Sequence, residues 1–144
     1  MVNVSDKERT HRFARAGGSI RMQTATLEAI RENTLKKGDA LSVAKVAGIM
    51  AAKKTSELVP LCHPVTLTDV QITLELDSNL PGVRVEATAE TTGETGVEME
   101  AIVGVSVTLI TLYDMAKGID KGMELGQISL IEKRGGRSGH WVKP

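Results

Sequence analysis

The segment "PLCHP" at residues 60–64 contains the only cysteine of the chain, Cys62, next to one of its three histidines, His63. Such a pair is compatible with a nucleophile and its base, with half of a metal site, or with a stiff turn that presents polar groups to a ligand. Adjacent residues on extended backbone point to opposite faces, and a residue before proline favours extended geometry, so the two side chains are poor partners for each other. A zinc site needs three or four ligands, and the other histidines lie near the chain ends. A buried thiol beside a surface histidine is the interpretation that requires no function.

Asp114 and Lys117 lie three residues apart, which places them on one face of a helix. A surface ion pair would have the same spacing. A carboxylate beside an ammonium group is also an acid–base pair in which each group changes the pKa of the other. Glu98 and Glu100 precede them, and at ~1.5 Å per residue Glu100 is roughly 21 Å from Asp114. A site that uses both ends is therefore elongated or shared between subunits, and we favour sharing.

Cationic side chains recur near the predicted helix ends and the chain ends. Lys37 precedes Gly38 and a candidate helix N-terminus, where free backbone amides and the helix dipole favour an anion. Lys53 lies towards the other end of the same helix. Each charge alone is compatible with a solvated surface, but together they indicate a small polyanionic ligand. The other candidates are Lys36, Lys54, Arg12, Arg15, Lys133, Arg134 and Arg137.

The composition argues against several classes of function. The 144 residues carry no net charge, and one Phe, one Tyr and one Trp are the only aromatic residues. We therefore expect no nucleic-acid partner, because a basic surface and a base-stacking platform are both lacking. A single cysteine forms no internal disulfide and fits a reducing compartment. With no signal-peptide pattern and no run of ~18 uninterrupted apolar residues, we expect a cytoplasmic protein without a membrane partner.

Two main helices are predicted. Asp39 stands at an N-cap position ahead of a helix that ends before Pro60. Small and apolar residues form one narrow stripe along it, so this helix should lie close to its neighbour. Thr95 and Glu98 match a capping box that opens a longer helix over residues 97–117. That helix is apolar nearly all round, so a second subunit is expected to cover part of it. The stripe of the first helix comprises Leu41, Ala44, Gly48, Ala51, Thr55 and Leu58.

Alternation of apolar and polar residues predicts the strands. Residues 68–77 and 82–90 alternate cleanly on either side of "SNLPG", which indicates an antiparallel hairpin with one wet, acidic face. Residues 19–24 predict a first strand, residues 26–33 a short helix, and residues 123–133 a last strand.

The predicted order is strand, helix, two strands, helix, strand, with one extra short helix. It indicates an α+β, ferredoxin-like (split βαβ) fold, in which helices pack on one face of an antiparallel sheet. We expect residues 1–18 to form a mobile N-terminal arm, residues 19–134 a single catalytic domain, and residues 135–144 a flexible, basic, Gly-rich tail. Because this fold serves many functions, function has to be argued from the site.

Three segments together resemble one known family. Residues 36–70 contain "LCHP", residues 91–120 contain "TGVEMEA" and "YDMAK", and "GGRSG" follows at residues 135–139. In this order and spacing they resemble the cyclic pyranopterin monophosphate synthases, the molybdenum cofactor biosynthesis protein C family. The resemblance covers about residues 12–139.

The resemblance implies a reaction that spacing alone does not show. Members of the family are lyases that convert 3′,8-cyclo-7,8-dihydro-GTP into cyclic pyranopterin monophosphate with loss of diphosphate. It also implies a homohexamer, a trimer of dimers, with active sites at subunit interfaces. The sequence requires no cofactor, and Mg²⁺ on the substrate triphosphate is compatible with the chemistry although no acidic ligand motif demands it.

The resemblance also implies roles for individual residues. Asp114 of "YDM", Lys117, and Lys37 before "GD" are the expected catalytic acid–base groups, and no residue is expected to bind a metal. The resemblance also implies that "PLCHP" is a loop that presents groups to a ligand and supplies no thiol nucleophile. His63 of this loop is expected to orient or protonate the substrate. The implied substrate-binding residues are Leu61, Cys62, His63, Met99, Glu100 and Arg12. Glu98, within "TGVEMEA", and Lys53, beside the Cys–His loop, are further expected substrate-binding residues.

A non-catalytic, ferredoxin-like nucleotide-binding or regulatory oligomer is the second hypothesis. Such a binder needs cations for phosphate but has no use for Asp114. Turnover therefore distinguishes the two hypotheses.

Overall fold

The computed structural model describes residues 1–144, and its element order is the predicted one with short additions. α1 and α3 are short helices, and β5 is a two-residue strand near the C-terminus. The elements are β1 (Thr10–Arg21), α1 (Thr24–Arg31), α2 (Ala40–Ala52), α3 (Thr55–Leu58), β2 (Asp69–Asp77), β3 (Gly82–Gly93), α4 (Glu98–Ala116), β4 (Glu124–Arg134) and β5 (Trp141–Val142).

The strands form one antiparallel sheet in the order β2-β3-β1-β4-β5. β1 and β3 are central and β2 and β4 flank them, which is the arrangement of a split βαβ fold. The predicted α+β, ferredoxin-like class is therefore confirmed. The predicted hairpin is confirmed as well, with Ile72 of β2 opposite Ala87 of β3.

The core lies between one face of the sheet and the helices α2 and α4. Ile20 of β1 and Val83 of β3 are fully buried, as is Leu109 of α4. Burying a side chain of this size stabilises the fold by about 1.5–3 kcal/mol. Alternate residues of β3 face this core, because successive side chains of a strand point to opposite sides of the sheet.

β1 begins at Thr10, so residues 10–18 belong to the centre of the sheet and not to the predicted mobile arm. Alternation is hard to read in this stretch because inward-facing positions such as Ala16 and Gly18 carry no large apolar side chain. They are small because α4 packs directly on the middle of the sheet. A Cβ at Gly18 would already lie 3.0 Å from Cδ1 of Leu109.

Part of the predicted flexible tail is also held by the sheet. Trp141 and Val142 pair with β4, opposite Lys133 and Glu132. Nε2 of His140 lies 2.9 Å from Oε1 of Glu132, which fixes the end of the glycine-rich loop to the same strand. Backbone pairing and one polar contact hold these residues where composition alone indicated a free end.

α2 has the predicted N-cap. The carboxylate of Asp39 accepts hydrogen bonds from the backbone N–H of Ser42 (3.1 Å) and from its hydroxyl (2.7 Å). The helix ends at Ala52 instead of continuing to Leu58, because Oγ1 of Thr55 donates to the Ala52 carbonyl at 2.8 Å and begins a separate turn.

α4 is a helix, as predicted, but its predicted capping box is wrong. The N-cap residue is Val97, which makes no side-chain capping bond. Glu98 instead accepts a hydrogen bond from Nζ of Lys133 at 2.6 Å, since an ammonium group on β4 is a stronger partner than a backbone amide. By length and composition α4 could cross a membrane, but just over half of that stretch is buried inside the fold, as expected of a core helix.

Candidate active site

Asp114 lies in the last turn of α4 between two lysines. Nζ of Lys37, from the loop before α2, is 2.8 Å from Oδ2 of Asp114, and Nζ of Lys117 is 3.0 Å from Oδ1. Lys37 also donates to the backbone carbonyl of Asp114 at 3.2 Å. The fold therefore joins the three predicted catalytic residues, although 77 positions separate Lys37 from Asp114.

The charged side chains of this cluster are partly exposed to solvent. The three side chains are about half exposed. Hydrogen bonds from Lys37 first, and then from Lys117, hold the pKa of Asp114 below its ordinary value. The carboxylate is therefore ionised at neutral pH and can accept a proton, while either ammonium group can donate one.

Local contacts fix both sides of this cluster. Gly38 has a φ of 102°, which a residue with a side chain rarely adopts, and it turns the chain between Lys37 and the capped start of α2. On the other side, the hydroxyl of Tyr113 donates to the carbonyl of Lys121 at 2.8 Å. The buried carboxylate of Asp120 accepts from the backbone N–H of Gln23 at 2.9 Å and ties the loop after Lys117 to the start of α1.

"PLCHP" forms a turn after α3, in which the backbone N–H of Cys62 donates to the carbonyl of Val59 at 3.1 Å. Burial, followed by the charges of Glu100 and Glu98, raises the pKa of the Cys62 thiol. The thiol therefore stays protonated at neutral pH, which disfavours it as a nucleophile. The loop borders a groove of about 460 Å³, the His63 groove, lined by Val2, Val4, Lys7, Val59, Leu61, Cys62, His63, Thr95 and Met99.

Two carboxylates at the start of α4 lie in different environments. Burial is the largest single influence and would raise the pKa of Glu98. The hydrogen bonds from Lys133 and from a backbone amide, together with the charges of Lys133 and Arg12, outweigh it, and the pKa is lowered. Glu100 is only 3% exposed, and burial, together with the charge of Glu98, raises its pKa. One carboxylate therefore holds its charge more firmly and its neighbour is more readily protonated, a difference that can separate acid from base.

Comparison with known proteins now adds to the geometry. The model of the MoaC family matches residues 1–136. The chain belongs to the MoaC family. Proteins named cyclic pyranopterin monophosphate synthase from Brucella ovis and Brucella melitensis biotype 1 are each 55% identical over 142 residues, which is 99% of this chain and 86% of theirs. The protein of that name from Parvibaculum lavamentivorans is 55% identical over 141 residues, 98% of this chain and 88% of its own. The resemblance drawn from the sequence motifs is confirmed.

The expected substrate-binding residues of this MoaC family member do not all meet in one chain. Leu61, Cys62, His63 and Met99 share the His63 groove. Lys53 lines a different cavity, of about 430 Å³, with Ile49 and residues 65–70. Their common role in substrate binding stays a prediction.

Arg12 is more deeply buried than an arm residue should be. It is 4% exposed, and its guanidinium donates to the backbone carbonyls of Gly93, Glu94 and Glu8. It lies in β1, which explains the burial. Its predicted substrate contact would therefore have to come through the part of the guanidinium that these carbonyls leave free.

Lys7 was not singled out from the sequence. It lies within the residues predicted to form a mobile arm, yet it is half-buried and lines the His63 groove. No local pattern marks it, because the contact depends on how residues 1–9 lie against the "PLCHP" loop.

Proposed function

We propose that this member of the MoaC family is a cyclic pyranopterin monophosphate synthase. It would convert (8S)-3′,8-cyclo-7,8-dihydroguanosine 5′-triphosphate to cyclic pyranopterin monophosphate and diphosphate in molybdenum cofactor biosynthesis. The observation that carries the proposal is the ionised carboxylate of Asp114 held between Lys37 and Lys117. The names of the relatives agree with it.

This reaction needs both proton transfer and stabilisation of a leaving group. Opening the purine and closing the pyranopterin ring move protons between nitrogen, carbon and oxygen. Asp114 can accept such protons, and Lys37 and Lys117 can donate them. In the cyclisation, a substrate oxygen bonds to the α-phosphorus, and the bond from that phosphorus to the diphosphate oxygen breaks, leaving its electron pair on the leaving group. Cationic side chains stabilise that developing charge.

The His63 groove is the proposed contact for the remainder of the substrate. It brings the imidazole of His63 next to Leu61, Cys62 and Met99. His63 would orient or protonate the substrate, and the protonated thiol of Cys62 would bind without acting as a nucleophile. Glu98, Glu100, Lys53 and Arg12 are proposed as further substrate contacts.

The assembly proposed is a homohexamer, a trimer of dimers, in the cytoplasm. Two observations support the association of subunits. Asp114 and Glu100 lie at opposite ends of α4, roughly 21 Å apart at ~1.5 Å per residue, so a partner subunit is needed to complete one site. Large apolar side chains are also exposed on the helical layer, namely Val43, Val46, Met50 and Ile110.

Mg²⁺ is proposed to enter with the substrate. No group of three or more His, Cys, Asp or Glu side chains is arranged to hold a metal ion. The substrate triphosphate supplies the oxygen ligands that Mg²⁺ prefers. Turnover measured with and without a chelator would show whether the ion contributes.

The decisive experiment is anaerobic incubation of the purified protein with (8S)-3′,8-cyclo-7,8-dihydroguanosine 5′-triphosphate. Diphosphate release and the fluorescent pterin formed on oxidation are both measured. We expect both products. Tight binding with neither product would instead show a nucleotide-binding protein without catalysis.

A further inference from the structure

The turn that follows α4, residues 117–122, is exposed except for one side chain. It begins with Lys117, and its sequence is "KGIDKG". Asp120 is only 5% exposed, whereas the other residues of the turn are exposed. Gly118 and Gly122 carry no side chain that could restrain the backbone. The position of this turn therefore depends on a small number of polar contacts.

The buried carboxylate of Asp120 connects the turn to α1. Its Oδ2 atom accepts hydrogen bonds from the backbone N–H of Gln23 and from the hydroxyl of Thr26, both at 2.9 Å. Its Oδ1 atom accepts from the backbone N–H of Gly122 at 3.3 Å. The side chain of Gln23, the N-cap residue of α1, makes no capping bond. A carboxylate from a distant part of the chain therefore satisfies the start of α1, and the same contact fixes the turn.

The cost of burying this carboxylate is met by hydrogen bonds alone. No ion pair of the chain includes Asp120. A buried charge without a cationic partner destabilises a protein unless hydrogen-bond donors surround it. The donors at Asp120 have to stay in place for the carboxylate to stay buried, so this contact resists displacement of the turn.

Tyr113 holds the same turn from within α4. Its ring packs against the core, and its hydroxyl donates to the carbonyl of Lys121 at 2.8 Å. The carbonyl of Tyr113 also accepts from the backbone N–H of Lys117 at 2.8 Å. Tyr113 thus contacts both the first residue of the turn and a residue near its end.

Lys117 needs such support because its own contacts are weak. It is the C-cap residue of α4, and its side chain is 52% exposed. The contact of its Nζ atom with Oδ1 of Asp114, at 3.0 Å, is its only ion pair. An exposed ion pair contributes about 0–1 kcal/mol, which does not hold a long side chain at a frayed helix end. The backbone of the turn therefore has to place the ammonium group.

We propose that Asp120 and Tyr113 are positioning residues, which hold the turn so that the ammonium group of Lys117 stays against Asp114 as a proton donor. Neither side chain forms a hydrogen bond with the carboxylate of Asp114, so both act through Lys117. The role in turnover rests on the proposed function, but the contact between Lys117 and Asp114 can be measured without substrate.

The first test is carboxyl-carbon NMR titration of Asp114 in Tyr113→Phe and Asp120→Asn. Phenylalanine keeps the ring and loses the hydroxyl, and asparagine places an NH2 group where an oxygen accepted a hydrogen bond. Hydrogen bonds from Lys37 first, and then from Lys117, lower the pKa of Asp114. Loosening the turn weakens the second of these, so the pKa of Asp114 should rise in both variants. In a Lys117→Gln background the same substitutions should leave it unchanged.

The second test is turnover of the same variants. Misplacing a catalytic group by about 1 Å can slow a reaction about 10²-fold, so we expect kcat to fall by about 10-fold to 10²-fold with KM nearly unchanged. Ser106→Ala is the matched control. It also removes a hydroxyl from α4, but that hydroxyl donates to Ile102 within the helix at 2.8 Å and does not reach the turn. Its kcat and the pKa of Asp114 should equal those of the unaltered protein.

Three results would overturn the positioning role. The pKa of Asp114 could stay unchanged in both variants, it could rise equally in the Lys117→Gln background, or kcat could remain that of an active unaltered protein. Circular dichroism and thermal melting show whether each variant is folded. If Asp120→Asn does not fold, Tyr113→Phe still decides the question, because it removes one exposed hydroxyl and keeps the packed ring.

The two tests also separate this proposal from the proposed function. If the pKa of Asp114 responds through Lys117 but the unaltered protein forms no product, the proposed function is wrong and the structural contact stands. If the unaltered protein turns over and both variants keep its kcat, the positioning role is wrong and the function stands.

Discussion

Asp114 owes its lowered pKa to two lysines from different parts of the chain. Lys117 is one helical turn away, and its proximity follows from sequence spacing. Lys37 is distant in sequence and is brought to Asp114 by the fold. Its Nζ atom lies 2.8 Å from the carboxylate, against 3.0 Å for Nζ of Lys117. Exposed ion pairs contribute little to stability, so this cluster is better explained by chemistry than by folding.

Replacing Asp114 by Asn should remove turnover while largely preserving substrate binding. The amide keeps the shape of the carboxylate but cannot accept a proton, and loss of such a group slows a reaction by about 10²–10⁴-fold. Single-turnover kinetics and equilibrium binding measure the two effects separately. Glu124→Gln, which changes an exposed carboxylate without an ion pair, should leave both unchanged. Undiminished turnover in Asp114→Asn would show that the catalytic assignment is wrong.

The pH dependence of Asp114 should report its contact with Lys37. Because its pKa is lowered in the folded protein, its ion pairs are complete above the ordinary value of 3.8 and are lost as the pH falls through the lowered pKa. Lys37→Gln removes the largest cause, so the pKa should rise towards 3.8. Carboxyl-carbon NMR titration measures it, and Lys36→Gln is the control because Lys36 is exposed and without an ion pair. An equal rise in both variants would rule out a specific effect of Lys37.

At the scale of the elements, the site depends on how closely α2 and α4 approach. Gly48 of α2 lies against Thr108 and the backbone carbonyl of Gly104 in α4. This approach agrees with the close packing predicted from the narrow stripe of α2. α2 follows Lys37 and α4 carries Asp114, so the same contact sets the distance between them.

Gly48→Ala should destabilise the protein although alanine favours helices. The gain in helix propensity is about 1 kcal/mol, but the new Cβ would overlap Oγ1 of Thr108, and overpacking costs about 1–3 kcal/mol. Urea unfolding measures the balance. Adding Thr108→Ala should restore part of the loss, because it removes the overlapping hydroxyl. A more stable Gly48→Ala protein would show that the two helices can move apart freely.

At the scale of the whole molecule, one chain holds two separate clusters of predicted site residues. Lys37, Asp114 and Lys117 meet near the C-terminal end of α4, and Glu98, Glu100 and the His63 groove lie near its N-terminal end. The helix between them is buried on one side. If both ends belong to one reacting centre, as the proposed function requires, a second subunit has to bring them together.

Mixing two inactive variants tests this sharing. If a site takes Asp114 from one subunit and His63 from its partner, oligomers reassembled from equal amounts of Asp114→Asn and His63→Ala chains should contain about a quarter intact sites. Activity should then return on mixing, and light scattering should give the mass of a hexamer. If the mixture stays as inactive as its components, although the assemblies are shown to exchange subunits, each site lies within one chain.

The sequence by itself determined the family and the ferredoxin-like plan, and it predicted the acid–base residues. Periodicity, the Asp39 cap and the order of "LCHP", "TGVEMEA" and "YDMAK" are local or additive signals, and they can be read without coordinates. The sequence misplaced the start of β1, because the inward residues there are small and their burial comes from α4 packing on them. The assigned capping box failed for a similar reason, since Glu98 binds Lys133 from a distant strand.

Only the tertiary structure decided which charges meet. The Lys37–Asp114 contact, the hydrogen bonds from Arg12 to the carbonyls of Gly93 and Glu94, and the place of Lys7 in the His63 groove all join residues far apart in the chain. Long-range contacts of single polar atoms leave no periodic trace in a sequence, because they depend on how whole elements pack.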